Sequence, residues 1–421
     1  MKQYDSYKDS GVEWIGEVPS HWEVRKIKTF SPVRRGASPR PIDDPKYFDE
    51  NGEFSWVRIA DVSASDKYLT TTTQKLSKLG SSLSVKRYTG DIFISIAGTV
   101  GKPIISSIKC CIHDGFVYFP YLKNMNTEFL YYIFMSGQPY LGLGKLGTQL
   151  NLNTETIGNI YIPYPSVEVQ NLIVSYLNKK CSEIDNAISA QQKRIALLQE
   201  LKQSVITHAV TKGLNPNVEM KDAEEDWIDR LPTSWKMAKL KYYIHLVNGR
   251  AYSQPELLSE GKYKVLRVGN FFTNDTWYYS NMELEEDKYC NNGDLLYAWS
   301  ASFGPYIWNQ DKTIYHYHIW KVCYKECMDK MYIYYMLKAI TNFKLGDIHG
   351  STMVHITMES MNNSMIPIPT FDEQKDIASY LNKKCSSIDS ALSKAQHQVE
   401  LLQEYKQSLI TEVVTGKRKV S

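Results

Sequence analysis

The chain of 421 residues contains no apolar run close to the ~20 residues that a membrane-spanning helix needs, so we expect no membrane partner. Residues 1–5 show no apolar segment of the kind that opens a secretory signal. The seven cysteines form no CxxC pair, and Cys323 with Cys327 has no second pair at zinc spacing. These absences argue against a disulfide or zinc scaffold and predict free thiols in a reducing cytoplasm.

The chain also has almost no excess of positive over negative charge. Lys plus Arg number 49 against 46 Asp plus Glu, a net charge of +3. This excess is too small to indicate nucleic-acid binding by itself, and it predicts that the isolated chain binds DNA weakly. Aromatic residues are abundant instead, with 30 Tyr and 9 Trp. Such side chains suit half-buried recognition surfaces.

A long internal repeat organises the chain. Residues 163–211 and 367–415 align without a gap at an offset of 204 and are identical at 28 of 49 positions. A Pro-x-Pro opens each copy, so we expect a helix to begin just afterwards, near Glu168 and Asp372. Apolar side chains then recur at alternating steps of four and three, which indicates a coiled-coil seam. These positions are Leu177, Cys181, Ile184, Ile188, Ile195, Leu198, Val205 and Ala209, and in the second copy Leu381, Cys385, Ile388, Leu392, Val399, Leu402, Leu409 and Val413.

The two helices are expected to pack on each other in antiparallel fashion. A helix of ~44 residues is about 65 Å long. The connector of ~14 residues between the first helix and the second globular region reaches at most about 50 Å, too short to return along the first helix. The second helix must therefore run back, with one globular region at either end.

The remaining regions are diverged copies of each other. Residues 14–22 (WIGEVPSHW) reappear as 227–235 (WIDRLPTSW), His113 aligns with His316, and Arg58 aligns with Arg267. Alternating segments predict short strands at 92–96, 115–119, 295–299 and 314–322, and short helices near 127–136 and 330–341. The predicted fold class is α+β: two mixed, mostly β globular domains separated by a long antiparallel two-helix coiled coil, duplicated about a pseudo-twofold axis.

Over its whole length the chain resembles the specificity subunit of type I restriction-modification enzymes. The resemblance rests on the WIGxVPxxW opening, the Gly-Asp-Ile/Leu segments at 90–92 and 293–295, the Gly-Thr/Ser pairs at 147–148 and 350–351, and the IPxPxxxEQ…YL text from residue 366 to 381. The first repeat copy departs from this text, with Val169 where the second has Glu373.

The resemblance implies the domain organisation and the partners. Residues 1–162 and 216–366 would be target recognition domains, and residues 163–215 and 367–421 the conserved helices that act as spacers. The subunit would be non-catalytic and would supply sequence reading of double-stranded DNA to two methyltransferase subunits, and to restriction subunits when present. S-adenosylmethionine would bind the methyltransferase, so we expect no cofactor in this chain.

Two unlike domains joined by like helices predict an asymmetric, bipartite target. The helices would hold the half-sites about one DNA turn apart, roughly 34 Å or somewhat more, with an unread gap between them. A coiled-coil scaffold whose Tyr- and Trp-rich domains bind protein or carbohydrate is the alternative from another class.

Enzymatic alternatives have weaker support. No GxxxxGK[ST] is present, nor the Asn-Pro-Pro-Tyr/Phe that adenine methyltransferases use. The GxGxxG at 142–147 follows a helical stretch, which favours a loop over a dinucleotide site. His316 and His318 would share a strand face, where base contact or packing is favoured over a metal. Asp91 and Asp294 each follow Gly at a strand start, as turn residues do.

Basic, amide and hydroxyl side chains in loops are the candidate DNA contacts. A shared role of Arg58 and Arg267 remains open between phosphate contact and a structural ion pair. The candidates are Arg34, Arg35, Arg40, Arg58, Lys86, Arg87, Lys145, Gln149, Asn151, Arg250, Arg267, Asn270, Ser300, Ser302, His316, Lys344, His349 and Thr352.

Several polar residues are identical in the two helices. A face that only contacts solvent would diverge in sequence after duplication, so this identity predicts two equivalent sites for two identical partners. The candidate partner-binding residues are Asn178, Lys179, Lys180, Gln199, Glu200, Asn382, Lys383, Lys384, Gln403 and Glu404.

Overall fold

The structure is a computed structural model that describes residues 3–141, 143, 152–272, 274–346 and 356–420. It divides into two compact units. Unit 1 comprises Met1–Gln191 and His397–Ser421, and unit 2 comprises Gln192–Gln396. Among the described residues, no helix has the length and apolar character needed to cross a membrane.

Unit 1 contains four small sheets and the first part of a long helix. Its strands are β1 (Tyr7–Asp9), β2 (Glu17–Pro19), β3 (Glu23–Lys26), β4 (Arg34–Arg35), β5 (Phe54–Val57), β6 (Tyr68–Leu69), β7 (Gln74–Leu76), β8 (Val85–Arg87), β9 (Ile92–Ser95), β10 (Pro103–Ser106), β11 (Cys110–Ile112), β12 (Phe116–Tyr118) and β13 (Tyr161–Tyr164). Its helices are α1 (Ile59–Ala64), α2 (Lys78–Ser82), α3 (Thr127–Met135), α4 (Thr154–Asn159) and the first part of α5 (Val167–Lys212).

Unit 2 repeats this plan. Its strands are β14 (Met220–Glu225), β15 (Ile228–Pro232), β16 (Lys236–Lys239), β17 (Ile244–Asn248), β18 (Tyr263–Leu266), β19 (Tyr278–Ser280), β20 (Tyr289–Cys290), β21 (Leu295–Ala298), β22 (Gly304–Ile307), β23 (Thr313–Tyr315), β24 (Ile319–Tyr324) and β25 (Met365–Ile368). Its helices are the second part of α5, α6 (Lys330–Gly346), α7 (Met358–Asn362) and the first part of α8 (Phe371–Val414), whose end belongs to unit 1.

The two units share one sheet topology, which confirms the duplicated mixed fold. The order β4-β12-β9-β10 in unit 1 corresponds to β17-β24-β21-β22 in unit 2, and β7-β5-β11-β8 corresponds to β19-β18-β23-β20. Unit 1 adds an edge strand, β6, which pairs in parallel with β10 and has no counterpart among the described residues of unit 2. The central strands β9 and β21 are buried at every residue, and all of their residues except Ser95 are apolar.

Most predicted elements are present, and one is wrong. The long helices begin beside Glu168 and Asp372, and α3 and α6 occupy the predicted short helices. The single strand predicted over 314–322 is two strands, β23 and β24, which belong to different sheets. Residues 316–318 form the turn that carries the chain from one sheet to the other.

The predicted apolar seam is buried or half-buried at every position. Lys202 and Lys406 interrupt the seam. Each lysine forms an ion pair with an aspartate of the other long helix. In unit 1, Lys406 Nζ lies 2.6 Å from Asp185, and in unit 2, Lys202 Nζ lies 2.6 Å from Asp389. Because Lys202 and Asp389 are exposed in part, we assign these pairs to register rather than to stability.

The helix segments inside unit 2 run antiparallel, as predicted. Lys202 of α5 meets Asp389 of α8. Further along α5, the Val210 carbonyl lies at the Tyr332 hydroxyl (3.4 Å), which also donates to the Pro367 carbonyl just before α8 (3.0 Å). Rising residue numbers on α5 therefore meet falling numbers on α8.

Buried tryptophans anchor the end of one long helix in each unit. Gly416 follows α8 with φ +77°, and a Cβ there would lie 3.0 Å from the Trp22 ring and 2.5 Å from Pro19. Gly213 follows α5 with φ +72°, and a Cβ there would lie 3.1 Å from Trp235. The repeated Pro-x-x-Trp opening therefore serves to seat a glycine-terminated helix.

Candidate nucleic-acid interface

One edge of unit 1 brings together loops that are distant in sequence. Gly36, directly after β4, donates its backbone N–H to the Phe116 carbonyl (2.9 Å). A Cβ at Gly36 would lie 2.2 Å from the His113 carbonyl, so only glycine permits this approach. The hairpin loop after β9 joins the same place, because the Ile96 N–H donates to the Gly115 carbonyl (2.8 Å). We call residues 34–40, 58, 96–101 and 113–115 edge 1.

His113 sits within edge 1 as a neutral imidazole. Burial lowers the pKa of His113, and Arg35 and Arg58 lower it further against the opposing effect of Asp114. Its Nδ1 accepts the Gly115 N–H (2.8 Å), which assigns the ring proton to Nε2. The Nε2–H is the ring's remaining donor, and about a fifth of the side chain is exposed.

Asp114 organises the arginines of edge 1. Its carboxylate accepts from Ser38 Oγ (2.8 Å) and from Arg40 Nη2 (3.1 Å), and its backbone carbonyl accepts from Arg35 Nε. The Ser38 hydrogen bond, with Arg40 and Arg35 nearby, lowers the pKa of Asp114. Arg40 is nevertheless 71% exposed. Two guanidinium groups are thus oriented but accessible, and Arg34 is exposed beside them.

Arg58 and Arg267 occupy the same position in the two units. The backbone N–H of Arg58 donates to Asp61 Oδ2 (2.8 Å) at the start of α1, and that of Arg267 donates to Asn270 Oδ1 (3.1 Å). Both side chains are exposed. Within the described parts of the chain neither guanidinium has a carboxylate partner, which favours phosphate contact over the ion-pair alternative.

Unit 2 has the same backbone arrangement at the corresponding edge, with a glycine packed against a strand end and a hairpin loop joined to it. We call this shared arrangement the frame. Gly249 donates to the Ile319 carbonyl (3.0 Å), and a Cβ there would lie 2.3 Å from the Tyr315 carbonyl. The hairpin loop after β21 joins it through the Trp299 N–H, which donates to the His318 carbonyl (3.2 Å). We call residues 249–256, 267, 299–303 and 316–318 edge 2.

His316 is also neutral at pH 7. Burial, followed by the neighbouring His318 and Arg267, lowers the pKa of His316 to about 4. The expectation that His316 and His318 share a strand face is wrong, because they lie in the turn between β23 and β24. Their ring centroids are 4.8 Å apart. Among the described residues, no group of three His, Cys, Asp or Glu is placed to hold a metal ion.

Aromatic rings replace the arginine network at edge 2. Tyr317 occupies the position of Asp114, and its ring centroid lies 4.0 Å from that of His318. Trp299 lies 5.0 Å from His318 and donates its Nε1–H to the Tyr317 carbonyl (2.8 Å). Tyr317 is 38% exposed. Edge 2 therefore presents ring faces and edges where edge 1 presents guanidinium groups.

Three candidates at edge 2 lie within loops. Arg250 Nη2 lies 2.6 Å from Glu256, and this hydrogen bond, aided by Ser253, lowers the pKa of Glu256 to about 2. Ser300 and Ser302 are half-buried in the hairpin loop, where the Ser302 N–H donates to the Ser300 carbonyl (2.8 Å).

Three other candidate DNA contacts are engaged in contacts within the protein. Arg87 is buried and paired with Asp91 (2.7 Å), so we remove it from the candidate DNA contacts. Asn270 is removed as well, because besides the Arg267 bond its amide donates to two loop carbonyls (2.9 and 3.0 Å). Lys344 donates to Ser360 Oγ (2.9 Å) and is half-buried.

The remaining loop candidates divide between exposed and undescribed positions. Lys86 is exposed, with its Nζ 4.7 Å from the Phe54 ring centroid. The following candidates lie outside the described residues, as do residues 142 and 144–147 of the GxGxxG segment: Lys145, Gln149, Asn151, His349 and Thr352.

Among the helix candidates, the two asparagines have internal roles. Asn178 Oδ1 accepts from the Tyr132 hydroxyl and Lys67 (2.6 Å each), and Asn382 Oδ1 accepts from the Tyr335 hydroxyl (2.9 Å). These hydrogen bonds attach each helix to its own domain, which accounts for the identity of the two asparagines between copies beside the predicted partner contact. Lys180 is half-buried and pairs with Glu183 (2.7 Å). The exposed members are Asn178, Lys179, Gln199, Glu200, Asn382, Lys383, Lys384, Gln403 and Glu404.

Sequence reasoning missed four residues of the two edges. Ser38, Asp114, Trp299 and Tyr317 were absent from the candidates, because acidic, aromatic and lone hydroxyl side chains are common in loops. The repeat offered one signal: once His113 is aligned with His316, Asp114 falls on Tyr317.

The comparisons with known proteins define the class. The family described as type I restriction modification DNA specificity domain matches residues 19–198 and 232–401, so each match covers most of one globular domain and the first part of its helix. The chain belongs to this family. It is a DNA sequence-recognition subunit of a type I restriction-modification system, and its membership supports a specificity role rather than a catalytic one, as the sequence predicted.

Individual relatives agree with this class. The chain is 24% identical to the type I restriction enzyme MjaVIII specificity subunit of Methanocaldococcus jannaschii, over 96% of this chain and 94% of that protein. It is similar in fold to a chain from a study of complex assembly and conformational transition of the type I R-M system (TM-score 0.73, 15% identity, 94% and 98% coverage). It is also similar to the HsdS subunit of Thermoanaerobacter tengcongensis (TM-score 0.50, 17% identity, 95% and 98% coverage).

Proposed function

We propose that each unit reads one half of a bipartite, asymmetric double-stranded DNA site through its edge. The observation that carries this proposal is the common frame of the two edges. Both place a glycine against a strand end, a neutral histidine and an exposed arginine at the same positions, whereas the side chains around the frame differ. A conserved frame suits contacts that every sequence offers, and divergent side chains suit bases that differ between half-sites.

The proposed assembly contains two methyltransferase subunits and, where present, restriction subunits. The methyl donor, S-adenosylmethionine, would bind the methyltransferase, so this chain contributes recognition and positioning of an adenine-modifying partner. The expected location of such an assembly is the cytoplasm, where the DNA is. The helices α5 and α8 would set the unread gap, so lengthening both by equal insertions lengthens the gap.

DNA binding is tested with the full chain and its methyltransferase in a filter-binding assay. We expect sequence-selective retention of target DNA by the complex and weak, salt-sensitive retention by the chain alone, because its net charge is only +3. Nanomolar, salt-resistant binding by the isolated chain would contradict the second expectation. Absence of selective retention by the complex would favour the scaffold alternative.

Exposed apolar side chains on the two helices mark the proposed partner surfaces. Leu197 and Leu201 of unit 2 are 65% and 49% exposed. Their repeat counterparts in unit 1, Leu401 and Tyr405, are 48% and 47% exposed. Apolar side chains one helical turn apart form a continuous strip, and a protein does not gain by leaving such a strip in water in both copies. Together with the exposed polar positions, they define two equivalent sites for two identical partners.

Paired substitutions test these surfaces. Leu197→Glu and Leu401→Glu together should abolish stable binding of both methyltransferase subunits, and each single change should leave one bound. Leu172→Asp is the matched control: Leu172 is 53% exposed on α5, and its repeat counterpart is already Asp376. Stoichiometry is measured by native mass spectrometry. Full binding of two partners to the double variant would contradict the assignment.

A further inference from the structure

We propose that Arg40, oriented by Asp114, reads a guanine in the half-site of unit 1, and that edge 2 lacks this selection because Tyr317 replaces Asp114. This inference rests on the proposed function and specifies the base that one element of it recognises.

The geometry of Asp114 leaves Arg40 with one occupied and several free donors. Asp114 receives one Arg40 nitrogen at 3.1 Å and the Ser38 hydroxyl at 2.8 Å. An arginine carries five N–H donors in a rigid fork. A single hydrogen bond to Asp114 therefore orients the guanidinium and leaves its other donors available. The 71% exposure of the Arg40 side chain shows that the free donors face outward.

Charge separates Arg40 from the other exposed arginines of edge 1. A phosphate contact depends on uncompensated positive charge, and the carboxylate of Asp114 beside Arg40 cancels much of that attraction. Arg34 and Arg58 have no such partner among the residues described, and they suit phosphates. Arg35 donates to the backbone carbonyl of Asp114 and not to its carboxylate, so its charge is not neutralised in this way. A neutralised but directed guanidinium suits a base edge, where hydrogen-bond geometry counts for more than charge.

Guanine is the base whose groove edge fits this donor pair. In the major groove it offers two acceptors, O6 and N7, at the spacing of a guanidinium fork, whereas adenine offers one acceptor beside a donor. The carboxylate of Asp114 also disfavours adenine and thymine, because it holds the guanidinium of Arg40 in one orientation. To reach the single acceptor of either base, the guanidinium would have to turn and break its hydrogen bond to Asp114.

The corresponding position in unit 2 carries none of these groups. At equal distance from the frame glycines Gly36 and Gly249, Arg40 is matched by Ser253, which is engaged with Glu256. Tyr317 stands in the place of Asp114 with its ring against His318. The only arginine in that loop, Arg250, is tied to Glu256 at 2.6 Å. The two edges therefore differ in chemistry at the point where their backbones agree.

The test is a base-substitution profile of the complex of full chain and methyltransferase. Each position of the target is replaced by every other base, and modification is measured in competition with the parent site. We expect Arg40→Ala to remove a preference of about 10- to 100-fold at one G·C pair and to leave the other positions unchanged. Asp114→Ala should weaken the preference at the same pair, and the double variant should be no worse than Arg40→Ala alone.

Arg25→Ala is the matched control for Arg40→Ala. Arg25→Ala removes an exposed arginine of unit 1 that is paired with Glu23, and its profile should equal that of the parent. Uniform weakening by Arg40→Ala at all sequences, or relaxation at an A·T pair, would overturn the guanine assignment while leaving the proposed function intact. A parent complex without any sequence preference would instead refute the proposed function.

Discussion

A missing hydrogen bond in unit 1 gives the sharpest stability prediction. In unit 2, the buried Trp235 donates its Nε1–H to Glu373 (3.2 Å), and the other carboxylate oxygen of Glu373 accepts from the N–H and hydroxyl of Thr370 (3.0 and 2.7 Å). In unit 1 the counterpart of Glu373 is Val169. Trp22 Nε1 is buried there, and no hydrogen-bond partner for it exists among the described residues.

The perturbation is Val169→Glu, which copies the unit 2 arrangement. The new carboxylate can accept from Trp22 and complete a capping box with Ser166, whose hydroxyl already accepts the Val169 N–H at 3.4 Å. One hydrogen bond contributes about 1 kcal/mol and half of a capping box about 0.5 kcal/mol. For a unit of this size, a gain of about 1.5 kcal/mol raises the Tm by about 3–6 °C.

Differential scanning calorimetry of the full chain at pH 7 measures the shift. Val167→Glu is the control, because it adds the same charge to the same first helical turn but at an exposed position (38%). The converse change, Glu373→Val, should lower the Tm of unit 2 by leaving Trp235 without an acceptor, and it identifies the unit 2 transition. A Tm for Val169→Glu no higher than that of Val167→Glu would refute the reasoning.

Three further predictions concern ion pairs and histidine. Arg87→Met breaks a buried pair with Asp91 and should destabilise unit 1 by about 2–4 kcal/mol in urea unfolding, with DNA selectivity of the folded complex unchanged; a selective loss of DNA binding would restore Arg87 as a contact. The pKa of Glu256 is lowered to about 2, so its stabilisation is complete above pH 4.5 and is lost as pH falls toward 2. The stability difference between parent and Glu256→Gln should shrink over that window; a difference that persists at pH 2 would contradict the pairing. In an NMR titration His316 should show an apparent pKa near 4, and a midpoint near 6.5 would contradict its burial.

The helical part of the fold was accessible from sequence because its signals are local. Pro-x-Pro, first-turn acids and a 3.5-residue apolar period all lie within one segment, and the repeat supplied each signal twice. The strand prediction over 314–322 was wrong for a related reason. Apolar residues continue through both strands, so hydrophobicity alone could not show that residues 316–318 pass from one sheet to another.

The candidate interface was only partly accessible because it depends on contacts between distant residues. Arg40 and Asp114 are 74 positions apart, and nothing in either local sequence indicates that they meet. Identity between copies showed that Asn178 and Asn382 matter, but it could not distinguish a partner contact from attachment to Tyr132 and Tyr335. The hydrogen bonds of the two asparagines join residues 46 and 47 positions apart, so they follow from the tertiary fold and not from the local sequence.

Methylation-sensitive sequencing of DNA from a host that carries this chain and its methyltransferase tests the central claim most directly. We expect two unlike half-motifs separated by an unread gap of fixed length, with modified adenines. A continuous palindrome, or two identical half-motifs, would contradict reading by two units whose edges differ as edge 1 and edge 2 do.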